Sequence, residues 1–176
     1  MKRLALIAAG LIGLAGCAGV DIERYRGQAP ALELPRYFNG TLDAHGMFQD
    51  RGGEVVKRFH VVIEASWRDG VGTLDEHFTY SDGSTQRRVW TLRQTGEHTW
   101  SGRADDVVGE ARGEVRGNAL RWRYVLALPV DGTVYHVDFD DWMFLLDDRV
   151  MLNRSVMSKW GLRLGEVTLS FSKRSP

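Results

Sequence analysis

Polar and apolar residues alternate along most of the chain after Phe38, and this period of two indicates β-strands rather than helices. Alternation is clearest over residues 59–67 and recurs over 120–128, 135–145 and 167–171. On the first of these segments the apolar face consists of Phe59, Val61, Ile63, Ala65 and Trp67. Because successive side chains of a strand point to opposite faces, the pattern predicts strands with one apolar and one polar face.

Turn sequences separate the alternating segments at intervals typical of antiparallel hairpins. These turns are Gly52-Gly53, Asp69-Gly70, Asp82-Gly83, Thr95-Gly96, Gly117-Asn118, Asp131-Gly132 and Asp147-Asp148. A single sheet of about eight to ten strands must curl or split to bury its apolar face. We therefore predict an all-β fold, an antiparallel up-and-down barrel, with a two-sheet sandwich as the alternative.

Two charged doublets decide which way the apolar face points. Arg87-Arg88 and Asp140-Asp141 both lie within predicted strands, so one member of each pair would face lipid in a barrel that crossed a membrane. A basic residue at the middle of a bilayer costs about 2–4 kcal/mol. The doublets therefore favour a barrel whose apolar face points inward.

The N-terminus begins with two basic residues, Lys2 and Arg3, followed by an apolar run over Leu4–Leu14. This run has about ten residues, whereas a helix needs roughly 20 to span a bilayer core. It is typical of the hydrophobic region of a signal peptide. The run ends in Leu14-Ala15-Gly16-Cys17, which is similar to the bacterial lipobox.

The lipobox resemblance implies cleavage before Cys17, a diacylglycerol on its thiol and acylation of the new N-terminus. Three acyl chains, at about 0.8 kcal/mol per buried methylene, would hold the protein on a membrane almost permanently. Ala18 follows the cysteine, and by resemblance to Gram-negative sorting rules this favours the outer membrane, with the domain facing the periplasm. The alternative is an ordinary secretory signal in which the cysteine falls at this place by chance.

These features predict three regions in the chain. Residues 1–16 form a signal peptide, 17–36 a lipidated N-terminus and tether, and 37–176 the barrel domain. The tether contains two prolines and no hydrophobic period, which is typical of a semi-extended linker. Docking of the tether onto the barrel stays open, because Leu32 and Leu34 could pack against it.

Composition excludes several classes of function. Lys plus Arg and Asp plus Glu each number 23 in 176 residues, so the formal net charge of zero gives no basis for nucleic-acid binding. The single cysteine excludes an internal disulfide framework and multi-cysteine metal motifs. The chain has no Gly-x-Ser-x-Gly, His-Glu-x-x-His or phosphate-loop sequence. We predict no cofactor and no metal site.

Asp141 is the most informative polar residue, because alternation places it on the apolar face between Phe139 and Met143. A buried carboxylate is costly unless it is paired or hydrogen-bonded, and Glu76 shares an apolar face in the same way. Such carboxyl groups could hold the polar end of a ligand, or they could stabilise the closed barrel. A bulge near Asp140-Asp141 would turn Asp140 inward in place of Asp141. The residues predicted to bind a ligand are Glu76, Arg88, Trp90, Tyr124, Asp141, Trp142, Arg154 and Lys159.

His136, Asp138 and Asp140 share one strand face, spaced about 6–7 Å apart, and could in principle ligate a divalent cation. The pattern fits better with outer-face residues paired to Arg121 or Arg123 on the neighbouring strand. Cross-strand ion pairs contribute only about 0.2–1 kcal/mol each. We therefore favour ion pairing over a metal site.

Several short motifs together resemble a family of proteobacterial lipoproteins of unknown function, DUF3833. They are Phe38-Asn39-Gly40, Asp50-Arg51, Leu74-Asp75-Glu76-x-Phe78-x-Tyr80-x-Asp82-Gly83, Arg88-Val89-Trp90, Asp106-Val107-Val108-Gly109, Gly117-Asn118-Ala119-Leu120, Asp140-Asp141-Trp142-Met143 and Asn153-Arg154-Ser155-x-Met157-Ser158-Lys159. The resemblance covers nearly the whole mature chain. It implies a calycin-type fold, the group that includes lipocalins, and brings no established activity. The early Gly-x-Trp of lipocalins has only a distant counterpart here, at Phe38-Asn39-Gly40.

The sequence therefore predicts a binding protein: an outer-membrane-anchored, periplasmic barrel that holds a hydrophobic or amphipathic small molecule such as a fatty acid or other lipid. One alternative is an assembly accessory with a solid core that acts through a protein partner. Another is a lipid-modifying enzyme that uses Asp141 or Glu76 as its acid–base group.

Overall fold

The computed structural model describes residues 19–174, which form a closed antiparallel barrel of ten strands. Each strand pairs with its neighbours in the chain, and the last strand closes the sheet against the first. The predicted all-β barrel is confirmed. The strands are β1 (Gly40–Asp50), β2 (Val55–Arg68), β3 (Val71–Tyr80), β4 (Thr85–Gln94), β5 (Thr99–Arg103), β6 (Ala111–Arg116), β7 (Ala119–Val130), β8 (Thr133–Leu145), β9 (Val150–Lys159) and β10 (Leu162–Lys173).

The apolar face of the sheet points into the barrel, as the alternation predicts. Val61 and Ile63 on β2 are 2% and 1% exposed, and the intervening Val62 lies on the outer face. β8 pairs with β7 and β9 without a register shift through its central residues. Because no bulge interrupts this strand, Asp141 points inward and is 6% exposed.

The hairpin connections divide the barrel into two ends, which we call the mouth and the base. The mouth contains the connections 51–54, 81–84, 104–110, 131–132 and 160–161. The base contains 69–70, 95–98, 117–118 and 146–149. The Asp69-Gly70 and Asp131-Gly132 turns have positive φ at both residues, which suits two-residue hairpins because it matches the twist of the strands.

The N-terminal segment, residues 22–38, packs across the base. It contains a 3₁₀ helix (Ile22–Tyr25) and one turn of α-helix (Leu34–Tyr37). Leu32 and Leu34 are 5% and 1% exposed, and the Leu32 N–H donates to the Gly117 carbonyl at 2.8 Å. Of the two arrangements that the sequence leaves open, the structure shows the docked one, from Ile22 onwards. Neither helix in residues 19–174 has the length and apolar character needed to cross a bilayer. Cys17 and the predicted signal peptide lie outside the described residues.

Gly117 at the base provides a test of this docking. Its φ is +53°, and an added Cβ would overlap the backbone carbonyl of Tyr25. We expect Gly117→Ala to lower the free energy of unfolding by more than Gly132→Ala does. The control residue has a similarly positive φ of +79° but open space at its Cβ position, so it should show backbone strain alone, about 1–2 kcal/mol.

Limited trypsin digestion followed by mass spectrometry reports on the segment directly. If the segment is displaced, cleavage after Arg24 and Arg26 should accelerate in Gly117→Ala and not in Gly132→Ala. Equal cleavage rates in the two variants would contradict docking of the segment against this turn.

Candidate ligand cavity

The interior of the barrel contains a cavity of about 910 Å³. Leu34 and Phe38 of the N-terminal segment line it at the base, where both are buried. At the other end its lining includes exposed residues of the mouth such as Gln86, Pro129 and Val134. The cavity is therefore closed at the base and reaches the surface at the mouth.

Aromatic rings form much of one wall. The ring centres of Trp90 and Trp122 lie 5.8 Å apart, and those of Trp90 and Tyr124 lie 5.4 Å apart, both nearly edge to face. Tyr124 stacks on Phe139 at 5.0 Å. Edge-to-face and stacked pairs of this kind hold rings in fixed orientations, so this wall presents a shaped apolar surface to the cavity.

A buried ion cluster lies in the same cavity. Glu76 and Arg88 are direct cross-strand neighbours on β3 and β4, and each side chain is 13% exposed. The guanidinium Nη2 of Arg88 donates to Asp106 at 2.7 Å, its Nε donates to the same carboxylate at 2.9 Å, and its Nη1 lies 3.9 Å from Glu76. Asp106 comes from the connection between β5 and β6. Arg88 thus bridges a strand carboxyl and a loop carboxylate.

The pKa values in this cluster follow from burial and pairing. Burial raises the pKa of Glu76 to about 7, and the attraction of Arg88 offsets only part of that effect. Burial by itself would lower the pKa of Arg88, but hydrogen bonding to Asp106 and the charge of Glu76 raise it above its usual value. At neutral pH the cluster therefore holds a permanent cation beside a carboxyl that can gain or lose a proton.

Asp141 forms a second polar centre with two residues of β9. It lies directly opposite Ser155, and Asn153 is the diagonal neighbour on the same inner face. Asp141 Oδ1, Asn153 Oδ1 and Ser155 Oγ are buried and form no hydrogen bond of ordinary geometry among the described residues. Burial raises the pKa of Asp141 to about 7, and the nearby hydroxyls of Ser155 and Tyr124, which favour the ionised carboxylate, offset only part of that effect. Burial also raises the pKa of the Tyr124 hydroxyl well above its ordinary value.

Comparison with models of protein families identifies the family of this chain. A sequence model of the family described as "Protein of unknown function (DUF3833)" matches residues 11–173. The chain belongs to this family. A comparison with curated proteins finds no match.

Among solved structures, this DUF3833 barrel is similar to the S-type phycobiliprotein lyase CPES from Guillardia theta. The two share 4% sequence identity with a TM-score of 0.57, over 78% of this chain and 89% of the lyase. At that identity the similarity establishes the fold, a lipocalin-like barrel, which confirms the predicted fold class.

Five of the eight residues predicted to bind a ligand line the cavity. These are Glu76, Arg88, Trp90, Tyr124 and Asp141. Trp142 does not, because strict alternation on β8 turns it outward, where its ring lies 5.9 Å from that of Tyr25 and 5.0 Å from the guanidinium of Arg121.

Arg154 on the outer face and Lys159 at the mouth end of β9 also lie outside the lining of the cavity, so the prediction that they bind a ligand there is wrong. Arg154 follows the inward Asn153 on β9 and pairs with Glu166 on β10. Lys159 lies at the end of β9 near the mouth, with its ammonium 4.9 Å from the ring of Trp160. Of the basic residues predicted to bind a ligand, Arg88 is the one that lines the cavity together with Asp141.

The His136, Asp138 and Asp140 face of β8 contains an ion pair. Arg121 Nε and Nη2 donate to the two carboxylate oxygens of Asp140 at 2.8 and 2.7 Å, while Arg123 pairs with Glu114. Within residues 19–174, no three His, Cys, Asp or Glu side chains come together in a way that could hold a metal ion. Of the two arginines that the sequence leaves open, Asp140 pairs with Arg121, its diagonal neighbour on β7, and not with Arg123 directly opposite it.

Sequence reasoning missed Asn153, Ser155 and Asp106 as cavity residues. Alternation could have predicted that Asn153 and Ser155 face the interior, because they occupy the inner face of β9 between Met151 and Met157. A pair of small polar residues between buried apolar ones is the signal that marks them. Asp106 lies in a connection whose residues do not alternate between polar and apolar, so the sequence pattern could not predict its contact with Arg88.

Exposed apolar side chains surround the mouth. Large hydrophobic residues that are more than two-fifths exposed occur on four of its connections or strand ends, including Val56, Val108, Val134, Trp160 and Leu162. Val134 also lines the cavity. The apolar surface of the mouth is therefore continuous with the apolar interior.

Proposed function

We propose that this DUF3833 protein is an outer-membrane lipoprotein whose barrel binds a hydrophobic or amphipathic small molecule from the periplasmic side. The observation that carries the proposal is the cavity of about 910 Å³, with apolar walls, one open end and buried polar groups midway along it. Small-molecule sites in proteins are typically about 300–1,000 Å³, largely apolar, with a few convergent polar groups. An acyl or similarly apolar chain would lie along the aromatic wall, with its polar group near Asp141 and Arg88.

An assembly accessory with a solid core fits the structure less well. A solid core would be filled by its own side chains at the density of an organic crystal, and it would gain nothing from carboxyls whose burial is unfavourable. The apolar mouth alone would suit a protein partner. Because this surface continues into the cavity, we assign it to the entry of the ligand.

Native mass spectrometry tests the binding function. Residues 19–174 contain the whole barrel and the segment that closes its base, so a chain that begins at Ala18 retains every contact described here. Purified without detergent, it should carry a non-covalent lipid-like adduct that organic solvent removes, and the emptied protein should take up one molecule of a long-chain alcohol. No adduct and no uptake would contradict the proposal.

A lipid anchor on Cys17 would determine how the barrel is oriented. Ile22 is buried against the base, and at about 3.3–3.6 Å per residue the five residues from Cys17 to Ile22 reach at most about 18 Å. The base would therefore lie close to the anchoring membrane. The mouth would point away from it, into the periplasm.

We expect Cys17→Ser to remove membrane attachment. The variant should lose incorporation of radiolabelled palmitate and should leave the outer-membrane fraction, because no acyl chains remain to bind it. Ala18→Asp is the matched control: it should keep the label and move to the inner-membrane fraction. Palmitate labelling that persists in Cys17→Ser would contradict lipidation at this residue.

A second candidate function is acid–base catalysis on the bound molecule. It is favoured by one observation: Glu76 and Asp141 both have a pKa of about 7 and both face the same apolar cavity. A general acid or base works best with a pKa near the working pH. Turnover that survives in the Glu76→Gln, Asp141→Asn double variant would exclude this function.

A further inference from the structure

The geometry points to a ligand whose polar head is a hydrogen-bond-donating cation, such as the ammonium group of a long-chain amine, held by Asp141, Asn153 and Ser155. The inference rests on the proposed binding function and names the chemical class of the head group. It departs from the fatty acid that the sequence suggests, because Asp141 and Asn153 present acceptor oxygens to the cavity while Arg88 is already paired with carboxylates.

Three buried oxygens face the cavity without a hydrogen bond of ordinary geometry. Asp141, Asn153 and Ser155 are 6%, 5% and 2% exposed, and an oxygen of each lacks such a bond within residues 19–174. The hydroxyls of Ser155 and Tyr124 lie close enough to act on Asp141, whereas no donor in the described part of the chain approaches Asn153 Oδ1. All three residues line the cavity, and register makes them neighbours on β8 and β9. Buried polar atoms are nearly always hydrogen-bonded in proteins. A ligand group with several N–H donors would satisfy these oxygens together.

The cation of the cavity, the Arg88 guanidinium, is already paired with two carboxyl side chains. Arg88 directs Nε and Nη2 to Asp106 at 2.7–3.0 Å, and its Nη1 faces Glu76. Asp106 also accepts a hydrogen bond from Gln86 at 3.3 Å. A ligand carboxylate would therefore have to displace an anchored carboxylate from Arg88 and approach Glu76 as well.

The balance of charged groups also favours a cationic head. The cavity cluster contains three carboxyl side chains, Glu76, Asp106 and Asp141, and one guanidinium, that of Arg88. A cationic head would reduce this imbalance and an anionic head would increase it.

Proton release should accompany binding of the cation. A positive charge beside Asp141 favours its ionised form, so affinity should rise with pH as this carboxyl loses its proton. The charged and titratable groups that face or adjoin Asp141 are Glu76 on β3, Arg88 on β4, Asp106 in the loop, Tyr124 on β7 and Asp140 on its own strand.

The experiment compares dodecylamine, dodecanol and dodecanoate by isothermal titration calorimetry below their micellar concentrations, using the chain that begins at Ala18. At pH 8 we expect dodecylamine to bind roughly ten-fold or more tightly than dodecanoate, since hydrogen bonds to a charged group are among the stronger ones. Between pH 6 and pH 8 the affinity for dodecylamine should rise by up to about ten-fold, as expected for a carboxyl that titrates near pH 7.

Two variants make the assignment specific. Asp141→Asn should abolish most of the preference for the amine and its pH dependence, while keeping affinity for dodecanol. Asp138→Asn, an exposed position on the outer face of the same strand, should change neither. If dodecanoate binds as tightly as the amine, or if the preference survives Asp141→Asn, the inference is wrong while the binding function stands. If none of the three compounds binds, the binding function fails and the inference fails with it.

Discussion

Asp141→Asn is expected to stabilise the protein, and to do so by on the order of 3 kcal/mol more at pH 8 than at pH 5. Burial raises the pKa of this carboxyl from its model-peptide value of 3.8 to about 7, and each unit of difference corresponds to about 1.4 kcal/mol. In this pH range the folded state holds a proton that the unfolded chain has lost. Wild-type stability should therefore fall as pH rises from about 4 through 7, and the amide removes that dependence.

Glu76 should add to the fall in stability with rising pH, because its pKa is also raised to about 7. Urea unfolding at pH 5 and pH 8 measures both effects, and Glu76→Gln should flatten the remaining pH dependence. The matched control is Asp140→Asn, which removes a partly exposed ion pair with Arg121 and should cost no more than about 1 kcal/mol. Wild-type stability that rises from pH 5 to pH 8 would contradict burial of these two carboxyls.

Arg88→Met is expected to lower the free energy of unfolding by about 3–5 kcal/mol at pH 8, as is typical when one partner of a buried ion pair is removed. The variant leaves Glu76 and Asp106 facing each other without a cation. At pH 5 the loss should be smaller, because Glu76, with a pKa of about 7, is then protonated and no longer contributes a negative charge.

The adjacent Arg87 provides the control for this prediction. It pairs with Asp75 at 2.7 Å on the outer face and its side chain is 63% exposed, so Arg87→Met should cost less than about 1 kcal/mol. The comparison uses urea unfolding of both variants at the two pH values. Equal decreases in the free energy of unfolding of the two variants would mean that Arg88 is not the buried cation of the cluster.

The sequence predicted the barrel well because alternation and turn residues are local signals. The inward direction of Asp141 and Glu76 follows from the same alternation. The error at Trp142 was avoidable, since adjacent residues on an uninterrupted strand cannot both point inward. Arg154 is excluded in the same way by the inward direction of Asn153 and Ser155.

The remaining features depend on contacts between distant parts of the chain. Asp106 reaches Arg88 from a connection with no period, and Leu34 reaches the base from a segment that looked like a free linker. Alternation also specifies which side chains point inward but not how far apart opposite walls lie. The volume of the cavity is therefore a property of the closed sheet and cannot be obtained from its strands one at a time.

A hollow, accessible interior is the claim on which the other conclusions depend, and a crystal structure of the chain that begins at Ala18, grown with ω-bromododecanol, tests it most directly. We predict one strong anomalous bromine peak inside the barrel, with the alkyl chain along the wall formed by Trp90 and Tyr124. An interior closed by its own side chains, with bromine absent or bound only on the outer surface, would contradict the account.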